Sequence, residues 1–505
     1  MKILLLGILL PFGLALSAAP VSIQVHAPTY PDQQVVLYRY MDAVTLRKEA
    51  IAHGRTNAKG DVTLNAEVEG TERALLRIGD VGADLFLRAG SYHVQMPAPR
   101  TDQALPISGT ARVDLIFLDL DHLDVNAMVS DLNERLDAFV AEDLATDQDA
   151  GMDAVAKERS GTGTMVHDTA RKQTDLFLSP RWSEARVDTF ERKLRKFYAD
   201  VEDPWFQSDV EYGIAGLRLG PRTTDRALFD RYLKDKPVLY NVPEYTRFFT
   251  AFFADHLMRF PFRTDTDALL KDIQEGRTDS LKALLAKNDF LKSPRLNELV
   301  LITGLYAEQG NAQFNHAGIL KVFEDVREHS AFQEHRAIAA NMLWDLTTMT
   351  AGTPLPALSL IDTSGSQVDI DSLFHGPVCL MITGTRGAYG EQELGALEKL
   401  RTEYDGYATF IGIALEDSPA QLATWLRTHP KSGPNWFIPA DRQELLDALR
   451  VRNTPVLFLL QGRELTASPG PLPSQGLGAV LHSIRVKADE ERKLRPDRGV
   501  LPPRR

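Results

Sequence analysis

The sequence predicts a multidomain protein, with an N-terminal antiparallel β-sandwich, an all-α middle domain and a C-terminal α/β domain. Three observations predict it. The chain has 505 residues, more than one hydrophobic core accommodates. Its apolar residues alternate up to residue 113, recur at helical spacing from 114 to 350, and form unbroken runs between helical stretches from 351 to 486. Its composition, 44% hydrophobic and 25% charged, is that of a folded globular protein, so each segment can supply a core.

Residues 1–19 read as an export signal. Lys2 provides the positive start, Ile3 to Leu16 the apolar stretch, and Ser17-Ala18-Ala19 the small residues of a cleavage site. Cleavage is expected after Ser17 or Ala18, because a cut after Ala19 would leave Pro20 beside it. Pro11 and Gly13 interrupt the run, and no later stretch reaches about 18 uninterrupted apolar residues. An exported chain with no integral membrane segment after cleavage is expected. The formal net charge of −12 argues against nucleic acid as a partner, and against an anionic membrane surface. Cys379 is the one cysteine, so no disulfide can form within the chain.

The sandwich is placed at 20–113. Val21 to Val25 and Val35 to Tyr40 alternate apolar and polar residues. Asn57 and Gly60 mark a turn that needs positive φ. Ala74 to Ile78, Asp84 to Arg88 and Ser91 to Gln95 continue the pattern, and Ala89-Gly90 between the last two is a hairpin signal.

The helical domain is placed at 114–350. Tyr245, Phe248, Phe249, Phe252, Phe253 and Leu257 follow i, i+3, i+4, i+7 spacing and make one wide aromatic face. Core packing explains it better than a ligand groove, because Thr246, Arg247, Thr250 and Asp255 occupy the other side. Pro237, Pro243, Pro261 and Pro294 punctuate the helices. The polar stretch Ala145 to Thr164 reads as a loop. His256 and His316 read as structural.

From 351 to 486 strands and helices alternate. Leu358 to Asp362 and Val368 to Ile370 make a hairpin around Thr363-Ser364-Gly365. Pro377 to Thr383 is an unbroken apolar strand, as a doubly covered sheet requires. It runs through Gly384-Thr385-Arg386-Gly387-Ala388-Tyr389-Gly390 into a helix over 391–404. A strand at 408–415, helices around Trp425 and over 443–449, and the strand entered through Thr454-Pro455 follow. Residues 487–505 are basic and expected to be a flexible tail.

This order of elements resembles the thioredoxin fold and, within it, the TlpA-like thiol–disulfide oxidoreductases of the bacterial envelope. In that family the strand ends Trp-x-x-Trp-Cys-x-x-Cys, with a Glu three residues after the second Cys. Laid on this chain, the cysteines fall on Gly387 and Gly390, the second Trp on Arg386 and the Glu on Glu393. Two glycines cannot form or resolve a disulfide, so the resemblance implies the fold without its redox centre. Glu393 is then a relic of proton shuttling or a carboxylate at a helix start. Pro455 matches the proline that the family holds cis, preceded here by Thr454, whose backbone in the family meets an extended peptide.

The expected function is a redox-inactive, periplasmic thioredoxin-like protein that binds a peptide or protein partner in the cell envelope. Arg386, Ala388, Tyr389, Thr454 and Pro455 are the expected binding residues. No catalytic residue, metal or cofactor is expected: phosphate-loop, nucleophile-elbow and paired metal-ligand motifs are missing from the sequence. The rival reading is an enzyme. It would use Cys379 with a partner's thiol, or an activity in the helical domain marked by a pocket of convergent polar groups with shifted pKa values.

Overall fold

A computed structural model describes residues 18–79, 81–98, 111–159, 182–219, 224–254, 256–257, 266–384, 388–416, 418–433, 435–451 and 453–494. The N-terminal region contains β1 (Ala19–His26), β2 (Gln34–Tyr40), β3 (Lys48–Arg55), β4 (Asp61–Val68), β5 (Glu72–Ile78), β6 (Val81–Leu87), β7 (Gly90–Gln95), β8 (Ala111–Arg112) and β9 (Ile116–Phe117). They form two sheets, ordered β4-β1-β7-β9 and β3-β2-β5-β6-β8. Alternate residues of each sheet, among them Ile23, Leu37, Leu64, Leu76, Leu85 and Val94, close one core between them. Gly60 holds φ +85°, and a Cβ there would lie 2.2 Å from the Ala27 carbonyl oxygen.

Two expectations need correction here. The sandwich is mixed rather than antiparallel, since β1 pairs in parallel with β7 and β6 with β8. Residues 88–90 do not close a hairpin. β6 and β7 lie in different sheets, so the turn is a corner, and Leu85 and Leu87 meet Tyr92 and Val94 across the core. The sheets also run past residue 113, to Phe117.

The helices that follow are α1 (Val125–Arg159), α2 (Glu184–Phe197), α3 (Pro204–Leu217), α4 (Asp225–Tyr232), α5 (Pro243–Phe253), α6 (Thr266–Glu275), α7 (Thr278–Leu285), α8 (Pro294–Ala307), α9 (His316–His329) and α10 (Gln333–Thr347). Proline opens α3, α5 and α8, where its missing N–H costs nothing. Ser183, Asp203, Thr224 and Asn315 cap α2, α3, α4 and α9 with their side chains. Tyr245, Phe248, Phe249, Phe253 and Leu257 are buried against Tyr212, Tyr232 and Leu299, so the aromatic face is core. α6 and α9 approach so closely that a Cβ on Gly318 would lie 1.9 Å from the Ile273 carbonyl oxygen. The expected loop from Ala145 is instead helix as far as Arg159. Its four alanines and the run Lys157-Glu158-Arg159 are good helix formers and no proline breaks them. Pro261 and residues 160–181 lie outside the described residues.

The C-terminal region contains β10 (Leu360–Ile361), β11 (Gln367–Val368), β12 (Pro377–Thr383), α11 (Ala388–Glu403), β13 (Thr409–Ala414), α12 (Pro419–Thr428), β14 (Trp436–Pro439), α13 (Arg442–Ala448), β15 (Val456–Gln461), β16 (Glu464–Ala467) and α14 (Leu477–Leu494). The sheet order is β11-β10-β14-β13-β12-β15-β16. β12 runs parallel to β13 and antiparallel to β15. Val378, Leu380 and Ile382 face one core with Leu445 and Phe458. Cys379 and Met381 face the other with Leu394, Leu422, Leu477 and Leu481 from the covering helices. Two covered faces explain why β12 is apolar at consecutive positions. The outer edge of β16 is closed by the linker: Gly352 N–H donates to the Leu465 carbonyl at 2.7 Å, and Leu355 N–H to that of Arg463 at 2.8 Å. The expected tail from 487 is helix as far as Leu494, tied down where the Tyr407 hydroxyl donates to Asp489 at 3.0 Å. Residues 495–505 lie outside the described residues.

Polar contacts, one of them fully buried, join the regions. Arg77 on β5 grips Asp441, the N-cap of α13, through two hydrogen bonds of 3.0 and 2.6 Å, and donates to the Tyr38 hydroxyl. Lys48 pairs with Asp447 at 2.9 Å. Arg47 and Arg450 both face the ring of Trp344, at 4.2 and 5.7 Å from its centroid.

Candidate functional site

β12 delivers the chain to the turn where the resemblance places the redox motif. Thr383 is buried, and its hydroxyl donates to the Gly384 carbonyl at 2.9 Å. Arg386 and Gly387 lie outside the described residues. Ala388, Tyr389 and Gly390 lie in the first turn of α11. A Cβ on Gly390 would stand 3.0 Å from the Gly384 carbonyl oxygen and 3.4 Å from Thr383 Oγ1. The end of β12 therefore lies close against a position without a side chain.

Glu393 is placed differently from the expectation of a helix-start carboxylate. α11 begins at Ala388, so Glu393 falls beyond its first turn, where the dipole acts. Its side chain is fully buried. It accepts hydrogen bonds from the Ser474 backbone N–H at 3.0 Å and from the Ser474 hydroxyl. The carboxylate braces α11 against the segment that leads into α14.

Cys379 is 2% exposed, and burial pushes its thiol up to about 12. A nucleophilic thiol needs the opposite shift and access to its partner. The side chain packs as a small hydrophobe between Met381, Leu394 and Leu459.

The Thr454–Pro455 peptide bond is cis, and so is Ser468–Pro469. Both prolines line one cavity of about 430 Å³. Met349, Val451, Val456 and Leu472 give it apolar walls, with Asn453 and Arg450 among its polar lining residues. Thr454 and Gly390 are not among the described residues that line it. Met349 and Arg450 hold positive φ, at +60° and +52°, and Arg450 pairs with Asp345 at 2.7 Å. No local pattern of residues marks Met349, from the inter-region linker, as a wall of this cavity. The prolines at 469, 471 and 473 were the available hint for the opposite wall.

A second cluster escaped sequence reasoning altogether. His335 is fully buried, its Nδ1 2.8 Å from Glu298 Oε1 and its Nε2 2.7 Å from the Tyr240 hydroxyl. Arg295 donates to the same hydroxyl at 3.3 Å. Burial alone would raise the Glu298 carboxyl; hydrogen bonds from His335 and Ser330 bring it below the usual range. Burial pushes the Tyr240 phenol up to about 12. The cluster joins α8, α10 and the segment before α5 through satisfied hydrogen bonds.

No protein-family model matches the chain, and no curated protein matches it. Solved structures do. A thiol:disulfide interchange protein from Bacteroides sp. is 16% identical, covering 27% of this chain and 91% of its own, with a TM-score of 0.25. The thioredoxin domain of a thiol-disulfide oxidoreductase from Bacteroides vulgatus is 15% identical over 27% of this chain and 97% of its own, with a TM-score of 0.24. A thiol peroxidase from Chromobacterium violaceum is 14% identical over 28% of this chain and 88% of its own, with a TM-score of 0.24. The strand order β13-β12-β15-β16, with β15 and β16 antiparallel and helices over both faces, gives the C-terminal region a thioredoxin-like fold.

Proposed function

We propose that the chain is an exported, periplasmic protein without thiol–disulfide activity, whose thioredoxin-like region binds an extended peptide segment of a protein partner. The observation that carries this reading is the pairing of an inaccessible cysteine with a formed cavity. Cys379 is buried among apolar side chains, while beside Pro455 an apolar-walled cavity of about 430 Å³ remains. That volume lies in the range of about 300–1,000 Å³ typical of ligand sites. Glycine at 387 and 390 supports the loss of redox chemistry, and residues 1–19 support export. The buried Arg77–Asp441 pair ties the sandwich to the thioredoxin-like region, which fits a scaffold role.

Two assays test it. Insulin reduction with dithiothreitol should proceed at the uncatalysed rate; catalysis abolished by Cys379→Ser would refute the redox-inactive reading. Phage-displayed peptides selected on the full chain should lose affinity on Val456→Glu, which puts a charge into the half-buried cavity wall. Peptides that bind the Val456→Glu variant as well as the wild type would place the binding surface elsewhere.

A further inference from the structure

A cavity of about 380 Å³ lies where β6, the segment after β8, α1, α3 and the start of α5 meet. Phe86, Phe117 and Val129 give it apolar walls. Its acidic groups are not equivalent. Asp84 is already engaged by Arg73, Arg112 and the Tyr40 hydroxyl. Asp114 is exposed at the rim. Glu244 pairs with Arg247. Asp209, projecting from α3, is 2% exposed and lines the cavity. Among the described residues no side chain hydrogen-bonds to it or forms an ion pair with it; the Glu244 backbone N–H donates to its carboxylate.

An ionised carboxylate buried without a cation is costly, so the site favours either a proton or a positively charged guest. We propose that this cavity binds a small primary amine with an apolar stem, the ammonium held by Asp209 and Glu244 and the stem by Phe86, Phe117 and Val129. An ammonium has three donors and no acceptor, which suits two neighbouring carboxylates. A metal ion fits less well: among the described residues there is no group of three or more His, Cys, Asp or Glu side chains able to hold one. Burial, with Glu244 adding to it, pushes the Asp209 carboxyl up to about 7, and burial raises Glu244 as well. Arg247 on α5 offsets part of both shifts. Arg73 and Asp84 from the sandwich complete the charged surroundings. The site thus exchanges a proton for an ammonium near neutral pH.

The test is calorimetric titration of the full chain with n-hexylamine, and with n-hexanol as its uncharged counterpart. The amine should bind about tenfold or more tightly than the alcohol, the factor expected for one charge-assisted hydrogen bond. Near neutral pH its binding enthalpy should depend on the buffer's ionisation enthalpy, because Asp209 releases a proton. Asp209→Asn should abolish that dependence and weaken the amine about tenfold, leaving n-hexanol unchanged. Glu244→Gln should weaken the amine too, with circular dichroism confirming that both variants are folded. Absence of amine binding, equal binding of amine and alcohol, or wild-type amine affinity in both variants would overturn the proposal. So would saturable binding of calcium alone that Asp209→Asn removes, since the guest would then be a metal ion.

Discussion

Replacing Asp209 with Asn should stabilise the helical region at neutral and alkaline pH and remove a pH dependence from it. The Asp209 carboxyl rises from 3.8 to about 7 in the folded chain, chiefly through burial and further through Glu244. The folded state therefore holds its proton more tightly than the unfolded state does. Below the unfolded value both states are protonated and the site carries no penalty. As pH rises towards 7, the unfolded state gives up its proton first, and stability falls with each step. A shift of this size corresponds to roughly 4 kcal/mol, fully expressed above the folded value. Asn keeps the size of the side chain and an acceptor for the Glu244 N–H, but has no charge to desolvate. Urea unfolding of the full chain at several pH values, followed by hydrogen exchange of α3 and α5 amides, isolates the effect from the other regions. Wild type should lose stability in these helices between about pH 4 and 7, while Asp209→Asn should stay flat apart from the smaller contribution of Glu244. Parallel curves for the two proteins would refute the argument that an unpaired carboxylate is buried at this seam.

Three further outcomes follow from the packing. Ellman's reagent should react slowly with native Cys379 and quickly in denaturant, and Cys379→Ala should cost about 1 kcal/mol as a small core truncation; equal reaction rates would contradict its burial. Arg77→Ala should cost about 3–5 kcal/mol, because it leaves Asp441 buried without its cation. Adding Asp441→Asn should recover part of that loss in a double-mutant cycle, and purely additive effects would show that the pair is not coupled. Glu393→Leu should speed hydrogen exchange at the Ser474 amide, whose acceptor it removes; unchanged protection there would mean the brace does not hold the segment before α14.

How much of this was legible depended on the distance over which each feature is determined. β12 could be read to the residue because both its faces are covered, which imposes apolar side chains at consecutive positions. The aromatic face of α5 was legible because one buried face imposes apolar side chains at helical spacing. Residues 88–90 misled, because a glycine turn between two alternating strands suits a corner between sheets as well as a hairpin within one. Which occurs depends on whether Leu85 and Val94 meet side by side or across a core. Residues 145–159 and 487–494 misled because a charged, alanine-containing sequence reads as loop until its helix propensity is weighed. The Asp209 cavity was invisible, since neither carboxylate stands out alone and only the packing of α3 on α5 brings them together. The turn at Arg386 and Gly387 lies outside the described residues, so its place relative to Pro455 remains an expectation of the resemblance.

The contacts between regions bear directly on the cavity beside Pro455. Met349 lies just beyond α10, the helix that carries Asn341 and Trp344. Arg47 from the sandwich donates to Asn341 at 3.0 Å and covers the Trp344 ring, while Arg450, a cavity-lining residue, approaches the same ring and pairs with Asp345. The residues that close one wall of the cavity are thus anchored through the sandwich and α10, outside the thioredoxin-like sheet. The linker beyond Met349 then hydrogen-bonds along β16, removing the edge at which a peptide could have added as a further strand. A partner at Pro455 would accordingly be recognised by side chains filling the cavity, and any movement of the sandwich against α10 would change the shape of its wall.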